Sequence, residues 1–235
     1  MAEFGHFTQK LKKKSADKEY VGVVNGLAVF GANRGAVIDV EASAERGDGK
    51  LTVTGIVEKQ EISSGTQKLI RNSTAKASVE NMLTVLKNLY FVNVSCYDIH
   101  VNFPGGIPID GPSAGVAIAT AVYSAITKNA VADNIAMTGE ISIHGKVKPV
   151  GGVPEKIGAA VDMGAKCVFI PKDNYDESFE KFNIDVCPVE HISEVFEYVF
   201  GVECKFNEMA ETKEITEKIA AASPVKEQVA SVRTR

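Results

Sequence analysis

Residues 112–127 are apolar on nearly every side, and they constrain the fold more than any other stretch of this chain. Small aliphatic residues fill most positions, Ala117 and Ala121 among them. A helix that is apolar all round is a buried one, because no face of it suits water. Its longest apolar run, residues 116–126, has 11 residues and is too short for a bilayer, which needs about 20. We therefore predict a helix buried inside a globular domain.

The segments that precede this helix have the pattern of a sheet. Residues 20–29 and 35–42 are β-rich and punctuated by glycine, and residues 51–57 alternate like a half-buried strand. Gly47-Asp48-Gly49-Lys50 predicts a hairpin turn between the last two, because Asp-Gly supplies the positive φ that such turns need. These runs predict a twisted, mostly antiparallel β-sheet.

Helices are predicted to flank this sheet within one domain at residues 20–203. Apolar residues recur at three- and four-residue spacing over residues 74–89, which is typical of an amphipathic helix. The pattern indicates an α+β or α/β fold, with a linker or tail at residues 1–19 and a polar tail at residues 204–235. The remaining predicted elements are strands at 97–103, 135–143, 147–150 and 166–171 and helices at 155–163 and 192–200.

Charge and cysteine content exclude several classes of function. The formal net charge of −4 gives no broad basic field, so we expect no nucleic-acid partner. The start of the chain lacks the apolar segment of a signal peptide, and no membrane segment is expected. The four cysteines form no Cys-x-x-Cys pair, which argues against a zinc site and favours buried thiols in a reducing, cytoplasmic setting.

The candidate nucleophile is Ser113, in Asp110-Gly111-Pro112-Ser113-Ala114-Gly115 at the start of the apolar helix. A helix start offers unpaired backbone N–H groups for an oxyanion, and Pro112 suits its first turn. Asp110 is placed to cap the helix or to contact a lysine. A serine hydroxyl needs a base, and none of the four histidines (His6, His100, His144, His191) lies in a triad motif.

The candidate base is Lys156, which follows Gly151-Gly152-Val153-Pro154 at the start of a predicted helix. Burial lowers the pKa of a lysine, and the positive end of a helix dipole also disfavours its charge. Thr138 is placed to orient the amine through its hydroxyl. Taken separately, these residues favour structural roles instead: a tight turn that caps a helix, a surface lysine, and a structural Thr138 and Asp110.

The spacing of these motifs resembles the proteolytic domain of Lon proteases over about residues 20–202. Three separated motifs are in register, with Thr138 and Lys156 lying 25 and 43 residues after Ser113. The resemblance implies an α+β fold and a serine endopeptidase with a Ser113–Lys156 dyad, in which Thr138 hydrogen-bonds the lysine and Asp110 contacts it. It also implies hexameric rings and unfolded or damaged protein substrates. The motifs beyond the serine turn are Met137-Thr138-Gly139-Glu140-Ile141, residues 145–156 and Phe169-Ile170-Pro171.

The chain departs from the ATP-dependent members of that family in one respect. It has no Gly-x-x-x-x-Gly-Lys-[Ser/Thr] motif, and the leading 19 residues are too few for a motor module. We therefore expect no cofactor in this chain, with ATP and Mg required only by a motor in the parent protein. The segment Asn102-Phe103-Pro104-Gly105-Gly106 is similar to the LonB-like bacterial branch. The alternative is a non-catalytic Lon-like ring scaffold of the DNA-repair type, but such members typically lack an intact dyad.

Overall fold

The computed structural model describes residues 18–30, 34–56, 59–64, 67–72, 74–105 and 111–202 of the chain. These residues fall in the first of two compact units, Met1–Glu203. The helices are α1 (Thr74–Leu89), α2 (Gly115–Thr127), α3 (Val153–Met163) and α4 (Ile192–Phe200). The strands are β1 (Glu19–Tyr20), β2 (Val23–Phe30), β3 (Arg34–Arg46), β4 (Leu51–Thr54), β5 (Lys59–Ser64), β6 (Gln67–Asn72), β7 (Tyr97–Asn102), β8 (Val131–Ala132), β9 (Ile135–Met137), β10 (Glu140–Ile141), β11 (Val147–Lys148), β12 (Cys167–Pro171) and β13 (Asp185–Val189).

A seven-stranded mixed sheet in the order β13-β12-β9-β2-β3-β7-β4 forms the frame of the domain. Strands β2 and β3 pair antiparallel, as predicted for residues 20–29 and 35–42, and β3 also pairs antiparallel with β7. Strands β9, β12 and β13 continue the sheet in parallel. Three small two-stranded sheets, β1-β8, β5-β6 and β10-β11, are antiparallel. The α+β fold class is therefore confirmed, but the large sheet is mixed rather than mostly antiparallel, since four of its six strand pairs are parallel.

The predicted hairpin at residues 47–50 is wrong, because β3 and β4 do not pair with each other. Strand β7 lies between them and pairs with β4 in parallel. The turn is organised instead by Asp98 of β7, whose Oδ1 accepts hydrogen bonds from Asp48 N at 3.0 Å and Lys50 N at 2.8 Å. A carboxylate that binds successive backbone N–H groups holds a turn without any pairing of the flanking strands.

Helix α2 is buried on every side from Gly115 to Ala125, as its composition predicted. It packs on one face of the sheet, where an added Cβ on Gly26 would lie 3.5 Å from the Ala117 side chain. Successive side chains of a strand point to opposite faces. The next residue of β2, Leu27, accordingly belongs to a second cluster with Ile157 of α3. The sheet therefore separates α2 from α3.

The predicted strand at residues 135–143 is two short strands, β9 and β10, with Thr138 and Gly139 between them. Strand β10 then pairs antiparallel with β11, the predicted strand that follows it. At the start of the domain, Glu19 of β1 pairs with Ala132 of β8, so strand pairing begins one residue before the predicted boundary. The rest of the predicted linker, residues 1–17, and the predicted polar tail at residues 204–235 lie outside the described residues.

Candidate active site

Ser113 lies in the 3-10 turn Pro112–Ala114, immediately before α2. Its side chain is half-buried, and Pro112 is the first residue of this 3-10 turn rather than of α2, which begins three residues later than predicted. Its carbonyl oxygen accepts hydrogen bonds from Gly139 N at 2.9 Å and from Thr138 Oγ1 at 3.2 Å. The serine turn is therefore attached to the break between β9 and β10. Asp110, the predicted contact of the lysine, lies outside the described residues.

Two glycines allow α2 to begin against this break. An added Cβ on Gly115 would lie 2.8 Å from Ile141 N, which is closer than real Cβ atoms approach. Gly139 has a φ of +155°, and its Cβ would lie 2.7 Å from Val147 Cγ1 and 2.8 Å from Val116 Cγ2. A hydrogen bond of 3.1 Å from Val116 N to Gly139 O joins the first turn of α2 to this break. Glycine is therefore required on both sides of this helix–strand contact.

Thr138 is fully buried at the break and contacts both candidate catalytic residues. Its hydroxyl donates to Ser113 O, and Thr138 Oγ1 accepts a 3.0 Å hydrogen bond from Lys156 Nζ. Its backbone N donates to Phe169 O of β12 at 3.0 Å. One side chain thus joins the serine turn to the lysine amine. The predicted contact between Thr138 and the lysine is present, while its catalytic role stays a prediction.

Lys156 lies in the first turn of α3, which begins after Gly152 in the left-handed conformation. Only 3% of the residue is exposed, and burial lowers the pKa of its amine from 10.5 to about 8. The cause is desolvation, which disfavours the ammonium form. A substantial fraction of the amine is consequently neutral near pH 8, and only a neutral amine accepts a proton.

Ser113 and Lys156 line a single cavity of about 470 Å³. Glu140 lines it as well, together with Val29 and the residues 149–152 that lead into α3. Within the described residues, the hydrogen bond of the lysine amine goes to Thr138, and no direct hydrogen bond joins Ser113 Oγ to Lys156 Nζ. The cavity thus holds a hydroxyl and a partly neutral amine beside a carboxylate, a set suited to nucleophilic attack on a carbonyl carbon.

The histidines have other positions. His191 caps α4: its Nδ1 accepts from Ser193 N, and its Nε2 donates to His144 O at 2.9 Å. His100 Nε2 hydrogen-bonds Thr54 Oγ1 on the sheet. None of these three lines the cavity, and His6 lies outside the described residues. The geometry therefore supports a lysine rather than a histidine as the candidate base.

The cysteines are only partly as predicted. Cys167 is buried, but Cys96 and Cys187 are half-buried, and Cys204 lies outside the described residues. The three described thiols are free, and the Sγ atoms of Cys167 and Cys187 lie 3.1 Å apart. Across the described ranges, no group of three or more His, Cys, Asp or Glu side chains is arranged to hold a metal ion. Helices long and apolar enough to span a membrane are also absent from those ranges.

Sequence analysis missed several residues around the cavity. Val29 comes from the far end of β2, and nothing in its own strand pattern distinguishes it from a core valine. Asn174 was missed as well, although its carboxamide hydrogen-bonds both Val150 N and Val150 O on the cavity wall. Glu140 was quoted only as part of a motif. A short-range pattern cannot show such neighbours, because each lies on a different element from the residue it contacts.

Comparison with known proteins gives consistent matches. The profile of the Lon protease (S16) C-terminal proteolytic domain matches residues 4–201. The chain is 46% identical over 195 residues to Lon protease 2 of Bacillus subtilis, covering 82% of this chain and 35% of that protein. It is 36% identical over 214 residues to the archaeal Lon protease of Pyrococcus abyssi, and the match covers 87% of this chain and 19% of that protein. For the Lon protease of Metamycoplasma arthritidis the identity is 39% over 194 residues, covering 78% and 22%. The chain thus spans about a third or less of each of these relatives.

Proposed function

Because the chain belongs to the family of Lon protease C-terminal proteolytic domains, we propose that it is a serine endopeptidase with Ser113 as nucleophile and Lys156 as general base. The observation that carries this proposal is the buried Lys156 amine in the cavity that Ser113 also lines. A fully exposed lysine would be protonated near neutral pH and could not act as a base. Burial of this amine supplies the neutral form that the reaction needs.

The mechanism follows from these groups. Neutral Lys156 accepts the hydroxyl proton as Ser113 Oγ attacks the peptide carbonyl, and a tetrahedral oxyanion forms. Backbone N–H groups at the start of the serine turn are the proposed oxyanion donors. The lysine ammonium then protonates the leaving amine, and water hydrolyses the acyl-enzyme with the lysine again as base. Thr138 keeps the amine oriented toward the cavity throughout, and Asp110 is a proposed second contact of the lysine.

The remaining expectations concern the parent protein. We propose that the substrates are unfolded or damaged proteins and that the domain works as a hexamer, in the cytoplasm, coupled to an ATP-dependent motor. The relatives are Lon proteases, which supports a protease, and the free thiols of the described cysteines fit a reducing compartment. The ring scaffold without catalysis is not favoured, because both Ser113 and Lys156 are present in the cavity. The domain boundaries at residues 20 and 203 and the LonB-like branch also stay predictions.

The test compares Ser113→Ala and Lys156→Met with the unaltered protein on unfolded casein and on a fluorogenic peptide, with and without ATP. Both variants should lose cleavage, whereas Ser95→Ala, which removes an exposed hydroxyl, should not. For the unaltered protein, kcat/KM should rise about tenfold between pH 7 and pH 9, because the neutral fraction of an amine with a pKa near 8 rises from about one tenth to about nine tenths. Full activity of Ser113→Ala, or a flat profile over this range, would contradict the proposal.

A further inference from the structure

Asn174 ends the 3-10 turn Lys172–Asn174 that follows β12, and its carboxamide binds a single backbone residue twice. Val150 N donates to Asn174 Oδ1 at 2.8 Å, and Asn174 Nδ2 donates to Val150 O at 3.1 Å. The side chain therefore satisfies both polar backbone groups of Val150, much as a neighbouring strand would. Because Asn174 is half-buried, these bonds are partly shielded from competing water.

Val150 belongs to the segment 149–152, which connects β11 to α3 and forms one wall of the cavity that holds Ser113 and Lys156. Local sequence fixes this wall only at Pro149, whose ring sets its φ, and leaves the residues after it free. It contains two adjacent glycines: Gly152 is in the left-handed region with a φ of +67°, and an added Cβ on Gly151 would meet nothing within 4 Å. Glycine leaves the backbone many conformations, so an external contact must select one.

We propose that Asn174 is a positioning residue for substrate binding, which acts by holding the wall 149–152 in place. This inference rests on the proposed peptidase function of the same cavity. The carboxamide attaches the wall to the end of β12, a fully buried strand of the central sheet. A peptide in the cavity then meets a wall of fixed shape, and the ordering cost of that wall is met before binding.

The lysine amine is held independently of this clamp. Lys156 Nζ bonds Thr138, and the hydrogen bonds of Thr138 go to the serine turn and to β12 rather than to Asn174 or Val150. Loss of the clamp should therefore weaken substrate binding without changing the protonation of the base. The effect should fall on KM, while kcat at saturation and the pH at half-maximal kcat should stay as they are.

The experiment measures KM, kcat and the pH profile of Asn174→Ala on a fluorogenic peptide. Since two neutral hydrogen bonds are lost, KM should rise about tenfold, with kcat changed less than about twofold. Asn174→Asp keeps an acceptor for Val150 N but sets a carboxylate oxygen against Val150 O, so its KM should also lie well above that of the unaltered protein. The matched control is Asn93→Ala, since Asn93 is exposed and its side chain makes no cap hydrogen bond.

The two proposals fail in different ways. If the unaltered protein does not cleave the peptide, the proposed function is wrong. If it cleaves and Asn174→Ala has the KM of the unaltered protein, the positioning role is wrong. A loss confined to kcat, with the pH midpoint displaced, would also overturn it, because Asn174 would then act on the base. Thermal unfolding of each variant checks that it is folded, and should Asn174→Ala be unfolded, Asn174→Asp decides on the same criteria.

Discussion

Replacement of Lys156 by Met should stabilise the fold while it abolishes the proposed activity. The amine is 3% exposed, and its pKa is lowered from 10.5 to about 8 by desolvation. Each pKa unit corresponds to about 1.4 kcal/mol, so keeping this amine charged in the folded protein at pH 7 costs about 3 kcal/mol. Met has a similar length and no charge, and it removes that cost.

Part of the gain is offset by a lost hydrogen bond. Lys156 Nζ donates to Thr138 Oγ1, and removing this donor costs about 1 kcal/mol. The loss is no larger because the Thr138 hydroxyl proton remains bonded to Ser113 O, so no buried donor is left without a partner. The net expectation for Lys156→Met is a free energy of unfolding about 2 kcal/mol higher at pH 7.

The sign of the pH dependence provides the sharper test. Between about pH 8 and pH 10.5 the unfolded lysine stays protonated while the folded one does not, so the unfolded state binds more protons and stability rises with pH. The free-energy cost of burying the charged amine is therefore fully present below pH 8 and decreases as the pH rises above 8. The advantage of Lys156→Met should shrink across this range and be largely gone near pH 10.

Urea unfolding of the unaltered protein and of Lys156→Met, followed by circular dichroism at pH 7 and at pH 10, measures both quantities. The control is Lys148→Met, because Lys148 is exposed on β11 and its replacement should change stability by less than about 0.5 kcal/mol. If Lys156→Met is no more stable than the unaltered protein at pH 7, or if its advantage does not decline with pH, the amine is not desolvated. Lys156 would then be protonated near neutral pH and could not serve as the base.

The remaining predictions concern Thr138, the thiol pair Cys167–Cys187 and Gly115. Thr138→Val keeps the shape of the side chain but removes the contact that orients the amine, so kcat/KM for a fluorogenic peptide should fall about tenfold, even at pH 9. The hydrogen bond between the thiols of Cys167 and Cys187 lowers the pKa of Cys187 and, together with burial, raises the pKa of Cys167. Iodoacetamide should therefore label Cys187 before Cys167, as read by peptide mass spectrometry. Gly115→Ala should lower the free energy of unfolding by about 1–3 kcal/mol because its Cβ meets a backbone nitrogen, whereas Gly158→Ala inside α3 meets nothing within 4 Å and should raise it by up to about 1 kcal/mol.

Sequence alone was sufficient where a segment determines its own structure. The predicted bounds of α1 and α4 agree with Thr74–Leu89 and Ile192–Phe200, because both helices have a clear apolar period. The burial of α2 was also predictable, since its composition leaves no polar face. Helix α3 begins two residues before its predicted start, at Val153, because Pro154 is compatible with a first turn.

Sequence alone was insufficient where a contact with another element of the fold decides the structure. The alternation of residues 51–57 indicated a strand, but nothing in it told whether β3 or β7 would be its neighbour. The two-residue break at Thr138 and Gly139 was also hidden inside an apparently continuous β pattern, with only the glycine as a signal. For the site, motif spacing pointed to Ser113, Thr138 and Lys156, whereas the clamp by Asn174 depends on a fold-level contact.

The break between β9 and β10 is the feature on which the candidate site depends. Thr138 N still bonds β12, but a strand that continued through Gly139 would direct the Gly139 N–H and C=O into sheet pairing instead of toward the start of α2. Because the strand is interrupted, Gly139 N bonds the carbonyl of Ser113 while the Thr138 hydroxyl reaches both that carbonyl and the amine of Lys156. The candidate nucleophile and base, 43 residues apart in sequence, therefore share a contact with Thr138 at this break.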